Sequence, residues 1–465
     1  MRASGCVVEP DDRTVTATIH TIERNGSGPF RRMLSRFGQA LSPDTGLHQS
    51  VLSLVDQGVS SATGFLTGVI IARACSKQEL GLYMLGFSLV TLVTDLQTAL
   101  ITTPYMVYAP RLRGRAHASY TGSTLIHQLA FCMIAILGVA CGAFAVSHGV
   151  GPRSLTPVLW ALALVIALLM LRQHARRVSF ARLKFKTALA FDTCIAVCQI
   201  GGLLILAHFH LLSASRAYWA MGCACGIAVF WWLWSDREFS TPRIRESVAD
   251  LKKNWALGKW VFASGLVWTV AVNLYPWLLA AFHGVASTGI WAACLGVVSI
   301  GNPALLGIQN LVGPKISHVY AAKGPKALRR VVLKITAIIA VPVSLLCLVL
   351  CVWGGRLAGL LSGRQYTGNN LVVAILALNL LVGALAFSFS RGLFAVDRAR
   401  VDFLINFAAL FVMVTLGLWL VYAYGPLGAA LGLLGATSAS SAMRAILFLI
   451  QPCHISLEME RIGEI

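Results

Sequence analysis

Charge is what this sequence has least of. Only 12% of its 465 residues are Asp, Glu, Lys or Arg, and acids are the rarer sign, 18 against 38 basic residues. A soluble domain carries about a quarter charged residues, so the polar shell of a cytosolic enzyme is missing. Missing too are a phosphate-cradling glycine loop, a nucleophile elbow, a paired-histidine zinc motif and an ATPase domain. The 12 cysteines lie mostly in apolar stretches, including the pairs Cys194/Cys198 and Cys347/Cys351, where cysteine acts as a small hydrophobe. With no His or carboxylate partners at ligand spacing, neither a metal nor another cofactor is expected. Residues 1–46 hold no long apolar run, so the sequence predicts no secretory signal peptide.

What is present is apolar length. Hydrophobic residues make up 57% of the chain, and the mean hydropathy is +0.74. Crossing a bilayer takes about 20 apolar helical residues, because only a helix satisfies its own backbone in hydrocarbon. Twelve stretches qualify: 51–72, 80–103, 121–147, 155–171, 187–207, 217–235, 261–283, 289–312, 331–353, 369–389, 403–424 and 427–450. The expectation is an all-α polytopic membrane protein.

If the chain starts inside, every even-numbered span returns to the cytosol. On that side lie 31 of the 38 basic residues, against 6 on the other, with Arg444 inside the last span. This positive-inside bias predicts both termini in the cytosol, and it explains the net charge of +20 without nucleic acid. In the tail, Phe30, Met33, Leu34, Phe37 and Leu41 recur at helical spacing beside Arg31, Arg32 and Arg36, the pattern of an amphipathic helix on the inner leaflet. Trp231, Trp232 and Trp234, with Trp255 and Trp260, read as an inner-leaflet aromatic belt.

The longest interior loop divides the spans into six and six. The expected organisation is a basic tail (1–46), a first lobe (47–235), a cytosolic linker (236–260), a second lobe (261–450) and a cytosolic tail (451–465). A shift of 208 residues lays Gly81-Leu82-Tyr83-Met84-Leu85-Gly86 on Gly289-Ile290-Trp291-Ala292-Ala293-Cys294. In the second span Ser88, Thr91, Asp95, Thr98 and Thr102 form one helical stripe. Gly296, Ser299, Asn302, Leu306 and Asn310 form a near-equivalent stripe in the eighth, with Gln309 beside it, and Asp56, Ser60, Gly64 and Thr67 a third. Polar stripes in a bilayer face protein or water, and three drawn from both halves suit a cleft between two lobes. Small polar residues also serve plain helix packing.

Intramembrane ionisable groups are costly, about 2.5–3.5 kcal/mol on insertion scales, and mark function. Asp56, Asp95 and Asp192 are the candidates for coupling H⁺ or Na⁺, and His127 joins them. Arg73, Ser88, Thr91, Asn273, Asn302, Gln309, Asn310, Asn379 and Arg444 are the candidates for lining a substrate cavity. Tyr275-Pro276 and Asn302-Pro303 interrupt the seventh and eighth spans and free carbonyls there.

The run Gln57-Gly58-Val59 through Phe65-Leu66-Thr67-Gly68, then Ile71-Ala72-Arg73, Glu79-Leu80-Gly81-Leu82-Tyr83 and the polar second span, resembles the start of Wzx-type polysaccharide flippases. The segment from Gly289 to Gly324, with Val312-Gly313-Pro314-Lys315-Ile316-Ser317 and Tyr320-Ala321-Ala322-Lys323-Gly324, is similar to that family's repeat. The family belongs to the superfamily that also holds MATE exporters and lipid II flippases. The resemblance implies a MATE-like, two-lobed bundle of two six-helix halves that flips an undecaprenyl-diphosphate-linked oligosaccharide by alternating access. Its partners would be membrane lipid, the lipid-linked substrate, a coupling ion and polysaccharide-assembly proteins. The family lines its cavity with cations, whereas this sequence offers three buried Asp and few buried basic groups. A cation-coupled exporter using Asp56 and Asp192 is the alternative. A polymerase or ligase would need a large outer loop, and the longest here, 354–368, carries only Arg356 and Arg364.

Overall fold

The computed structural model describes residues 46–235, 244–396 and 399–450. The expected amphipathic helix over 30–41, the start of the linker and the tail from 451 lie outside them. The chain divides into two compact units, 1–53 and 54–465, and every contact below is within the second.

No strand occurs among the described residues. The helices are α1 (Gly46–Ala74), α2 (Lys77–Arg111), α3 (Gly114–Ser147), α4 (Thr156–Ala181), α5 (Phe185–His208), α6 (Ala214–Ser235), α7 (Ile244–His283), α8 (Val285–Gly301), α9 (Asn302–Ser362), α10 (Asn370–Ala395), α11 (Val401–Tyr424) and α12 (Pro426–Ile450). Among the described residues ten helical stretches are long and apolar enough to cross a membrane, and α8 is a shorter apolar helix. The expected spans outside those ten, 261–283 and 289–312, run through α7 and through α8 into α9. Helix α9 breaks at Gly324, whose φ of 71° takes it out of helical geometry and suits a residue without Cβ.

Two expected loops are helix instead. The interior loop 236–260 is helical from Ile244, the start of a 40-residue α7 about 60 Å long. The fourth span, expected to end at 171, runs on to Ala181. That brings Arg172, Arg176 and Arg177 into the bundle, where Arg172 and Arg176 are matched by the carboxylates described below. The tryptophan belt divides: Trp231 and Trp234 are exposed, but Trp232 is buried, edge-on to His174.

Helix pairing repeats with an offset of six. The pairs α2–α4, α3–α4, α4–α6 and α5–α6 of the first half correspond to α8–α10, α9–α10, α10–α12 and α11–α12 of the second. The halves meet where α2 packs on α8 and where α7 lies along α2 and α3. A Cβ on Gly81 would collide with the Val285 carbonyl oxygen, and one on Gly289 with that of Lys77. Under the 208-residue shift, 81 becomes 289 and 77 becomes 285, so the contact is reciprocal. A contact of that form lies on a two-fold axis. Water drives no association inside lipid, so close backbone approach at small residues holds such a crossing together. Ser76 fixes the start of α2 by accepting from the Glu79 amide, while the Glu79 carboxylate accepts from Ala214 at the start of α6.

Helix α2 contains a π turn at Thr98–Thr102, where the Thr103 amide reaches back to Thr98. Pro104 has no N–H to continue the ordinary ladder, and the wider turn absorbs the defect. Helix α7 crosses there: a Cβ on Gly258 would stand 2.9 Å from the Ala99 carbonyl.

Candidate functional site

The polar stripe of α2 faces α7. Asp95 Oδ2 accepts from Thr269 Oγ1 at 2.6 Å, Trp277 Nε1 donates to Ser88 Oγ at 2.8 Å, and Asn273 Nδ2 turns back to the Thr269 carbonyl at 2.9 Å. Thr91 and Thr98 return their protons to carbonyls of their own helix. Ser88 and Thr102 are buried, while Thr91, Asp95, Thr98 and Asn273 keep partial access. Among the described residues no basic side chain pairs with Asp95, which leaves it a carboxylate held by a single hydroxyl.

A polar ladder continues along α7 onto α3. Ser119 donates to Glu246, Ser247 to Ser123, His127 Nε2 to the Ser247 carbonyl at 2.8 Å, and Tyr120 to Asn254 at 2.7 Å. Lys253 lies 4.3 Å above the Tyr108 ring. Thus His127 is a structural donor between the halves, with its proton on Nε2.

Asp56 and Asp192 occupy a different place, inside the first half. Arg176 on α4 reaches both: its Nη2 lies 2.5 Å from Asp56 Oδ2 and its Nε 2.7 Å from Asp192 Oδ2, with the guanidinium 11% exposed and the carboxylates 1% and 0%. Arg172, one turn earlier, adds a longer contact of 3.4 Å to Asp192. Burying ions costs several kcal/mol each, and apolar replacements of such pairs are often neutral or stabilising. Stability alone therefore does not account for this cluster. The i, i+4 spacing of Arg172 and Arg176 was the available signal, masked by reading both as loop residues.

Arg444 in α12 also has a partner. Its Nε donates to Asp402 Oδ1 at 2.8 Å and its Nη2 to Asn406 Oδ1 at 2.6 Å, and Asn406 Nδ2 returns to Asp402 at 3.2 Å. Sequence reading placed Asp402 outside its span and missed it, although Asp402 and Asn406 share the i, i+4 spacing of one helix face. Asp402→Ala is expected to lower stability by about 2–4 kcal/mol by stranding a half-buried guanidinium, read as a fall in thermal midpoint that Asp402→Ala/Arg444→Met reverses.

The remaining candidates scatter. Arg73 is exposed and clasps α9. Asn302 is exposed, and Asn379 on α10 is half-buried, with its Oδ1 buried and without a hydrogen bond. The side chains of Gln309 and Asn310 lie outside the described residues. No group of three His, Cys, Asp or Glu among the described residues is placed to hold a metal ion.

A family profile described as polysaccharide biosynthesis protein matches residues 114–370. Among curated sequences none matches. In structure, the chain is similar to a multidrug resistance MATE family transporter of the MOP superfamily in an inward-facing conformation, with a TM-score of 0.68 at 12% identity over 84% of this chain and 94% of that one. The outward-facing conformation of such a transporter gives 0.56 at 12% identity over 86% and 94%. A MOP superfamily transporter from Pyrococcus furiosus, described by the reverse polarity of its binding pocket, gives 0.58 at 11% identity over 86% and 94%. At such identities these likenesses establish a shared fold, the MATE-like bundle.

Proposed function

Since the chain belongs to the polysaccharide biosynthesis protein family, we propose that this multi-pass membrane transporter flips an undecaprenyl-diphosphate-linked oligosaccharide across the bacterial inner membrane by alternating access. The observation that carries the reading is the partly open polar face at Thr91, Asp95, Thr98 and Asn273, where α2 of one half meets α7 of the other. Hydroxyls and amides there suit a sugar, and a seam between halves lets a prenyl tail stay in lipid. Three arginines of α4 lie inside its helix, which narrows the apparent shortage of buried cations. In this reading both termini and the basic ends of the helices face the cytosol, as the positive-inside bias predicts.

Asp95 is the proposed proton carrier. Asp56 and Asp192 already have Arg176 as counter-ion, whereas among the described residues Asp95 is met by a neutral hydroxyl and no basic side chain, the arrangement a coupling carboxylate in a membrane needs. Deleting the gene is expected to accumulate lipid-linked glycan facing the cytosol, measured by mass spectrometry, and Asp95→Asn should reproduce most of that build-up with normal membrane insertion. No build-up, with raised drug sensitivity, would favour the second reading, a cation-coupled exporter. That reading has the enclosed Asp56 and Asp192 in its favour.

A further inference from the structure

On the face where α2 and α8 cross, each half holds the end of a helix from the other. Arg73, in the last turn of α1, donates through Nε to the Leu361 carbonyl at 2.8 Å and through Nη2 to that of Leu360. Those are among the last carbonyls of α9, which lack helical partners and carry the negative end of its dipole. In return Gln365, in the turn after α9, donates through Nε2 to Ala72 at 3.1 Å and Cys75 at 3.0 Å, the end of α1. Between these two clasps Tyr366 is fully buried and belongs to the hydrophobic cluster built mainly from the first half. The loop 363–369 is therefore seated on the opposite half by a side-chain knob and two reciprocal helix caps.

We propose that Arg73 and Gln365, flanking Tyr366, form a latch that closes this face and must release before the cleft opens there. Arg73 then acts on the balance between access states and not as a substrate ligand. The inference rests on the alternating-access reading above. It places this seam opposite the basic face, with release of the α9–α10 turn preceding separation at Gly81 and Gly289.

Cys75 is a native reporter. It is half-buried, its Sγ lies 3.5 Å from the Leu212 carbonyl, and its backbone oxygen receives Gln365. Burial, and then the nearby Glu79 carboxylate, pushes its thiol up to about 11, so the closed seam modifies slowly. The experiment uses the full chain in lipid nanodiscs, a water-soluble maleimide, and peptide mass spectrometry of Cys75. Gln365→Ala and Arg73→Ala should each raise the Cys75 rate about tenfold, as loss of a charge-assisted or paired hydrogen bond implies, and together more. Arg153→Ala, an exposed arginine on the same face, should leave it unchanged. Equal rates in all variants would overturn the latch. Gln365 is exposed, so its variant remains informative should Arg73→Ala fold poorly. Because labelling needs no substrate, faster labelling without glycan build-up in the Asp95→Asn strain would retire the flipping reading and keep the latch.

Discussion

Arg176→Ala should be the most damaging single substitution in the first half, costing about 3–5 kcal/mol. The reason is stoichiometric. One guanidinium serves two enclosed carboxylates, at 2.5 Å and 2.7 Å, so its loss strands both, with Arg172 left to offer a 3.4 Å contact to one of them. Stranded carboxylates recover either by taking up protons or by drawing water into the helix bundle. The expected readout is loss of folded, membrane-inserted protein, followed by size-exclusion profile and thermal midpoint. Arg176→Lys should retain part of the stability, since a point charge reaches one carboxylate well and two poorly. The decisive variant is the triple replacement Arg176→Met, Asp56→Asn, Asp192→Asn. If the cluster serves function, this protein should fold as well as the parent and fail to transport. If it transports normally, the cluster is structural.

Gly81→Ala and Gly289→Ala should damage the protein equally. Each added methyl meets a backbone carbonyl of the other helix, and backbone cannot rotate away as a side chain can, so the helices must separate. Overpacking of this kind costs about 1–3 kcal/mol, and separation at one glycine also loosens its symmetry mate. The double variant should therefore cost much less than the sum, a non-additivity measurable by a double-mutant cycle. Gly138→Ala, where a Cβ would meet nothing within 4 Å, is the matched control. Unequal single effects, or simple additivity, would argue against a shared axis.

Much of this architecture was legible in the sequence because the bilayer simplifies the code. Twelve apolar stretches, a six-plus-six division and a 208-residue shift all rest on hydropathy and small residues, and the shift pairs the two glycines that touch. The limits of α4 and α7 were illegible for one reason. A run containing Arg172, Arg176 and Arg177, or Glu246, Lys252 and Lys253, scores as loop when each charge is priced against lipid. The structure prices it against Asp192, Asp56, Ser119 and a tyrosine ring. Pairing partners 20, 120 or 127 residues distant leave no local periodicity. The polar stripe of α2 was readable as a stripe, but what it faces depends on where α7 lies. Asp95 was picked out by depth, and that no basic side chain among the described residues pairs with it emerges only in three dimensions.

The continuity of α7 has a mechanical consequence. A helix of about 60 Å that runs on through Pro276, where the sequence predicts an interruption, hydrogen-bonded to α2 and α3 at points along its length and packed on α11 as well, would act as a lever under the alternating-access reading. A tilt of about ten degrees at one end sweeps the other sideways by roughly 10 Å over that length, about the spacing between neighbouring packed helices. The sliding surface is a row of separate hydrogen bonds, which can break and remake one at a time. Under the alternating-access reading, shear along this row in place of wholesale separation would give the second half a graded path of small steps, with the speed of conversion set by the rung hardest to break and not by the sum of all of them.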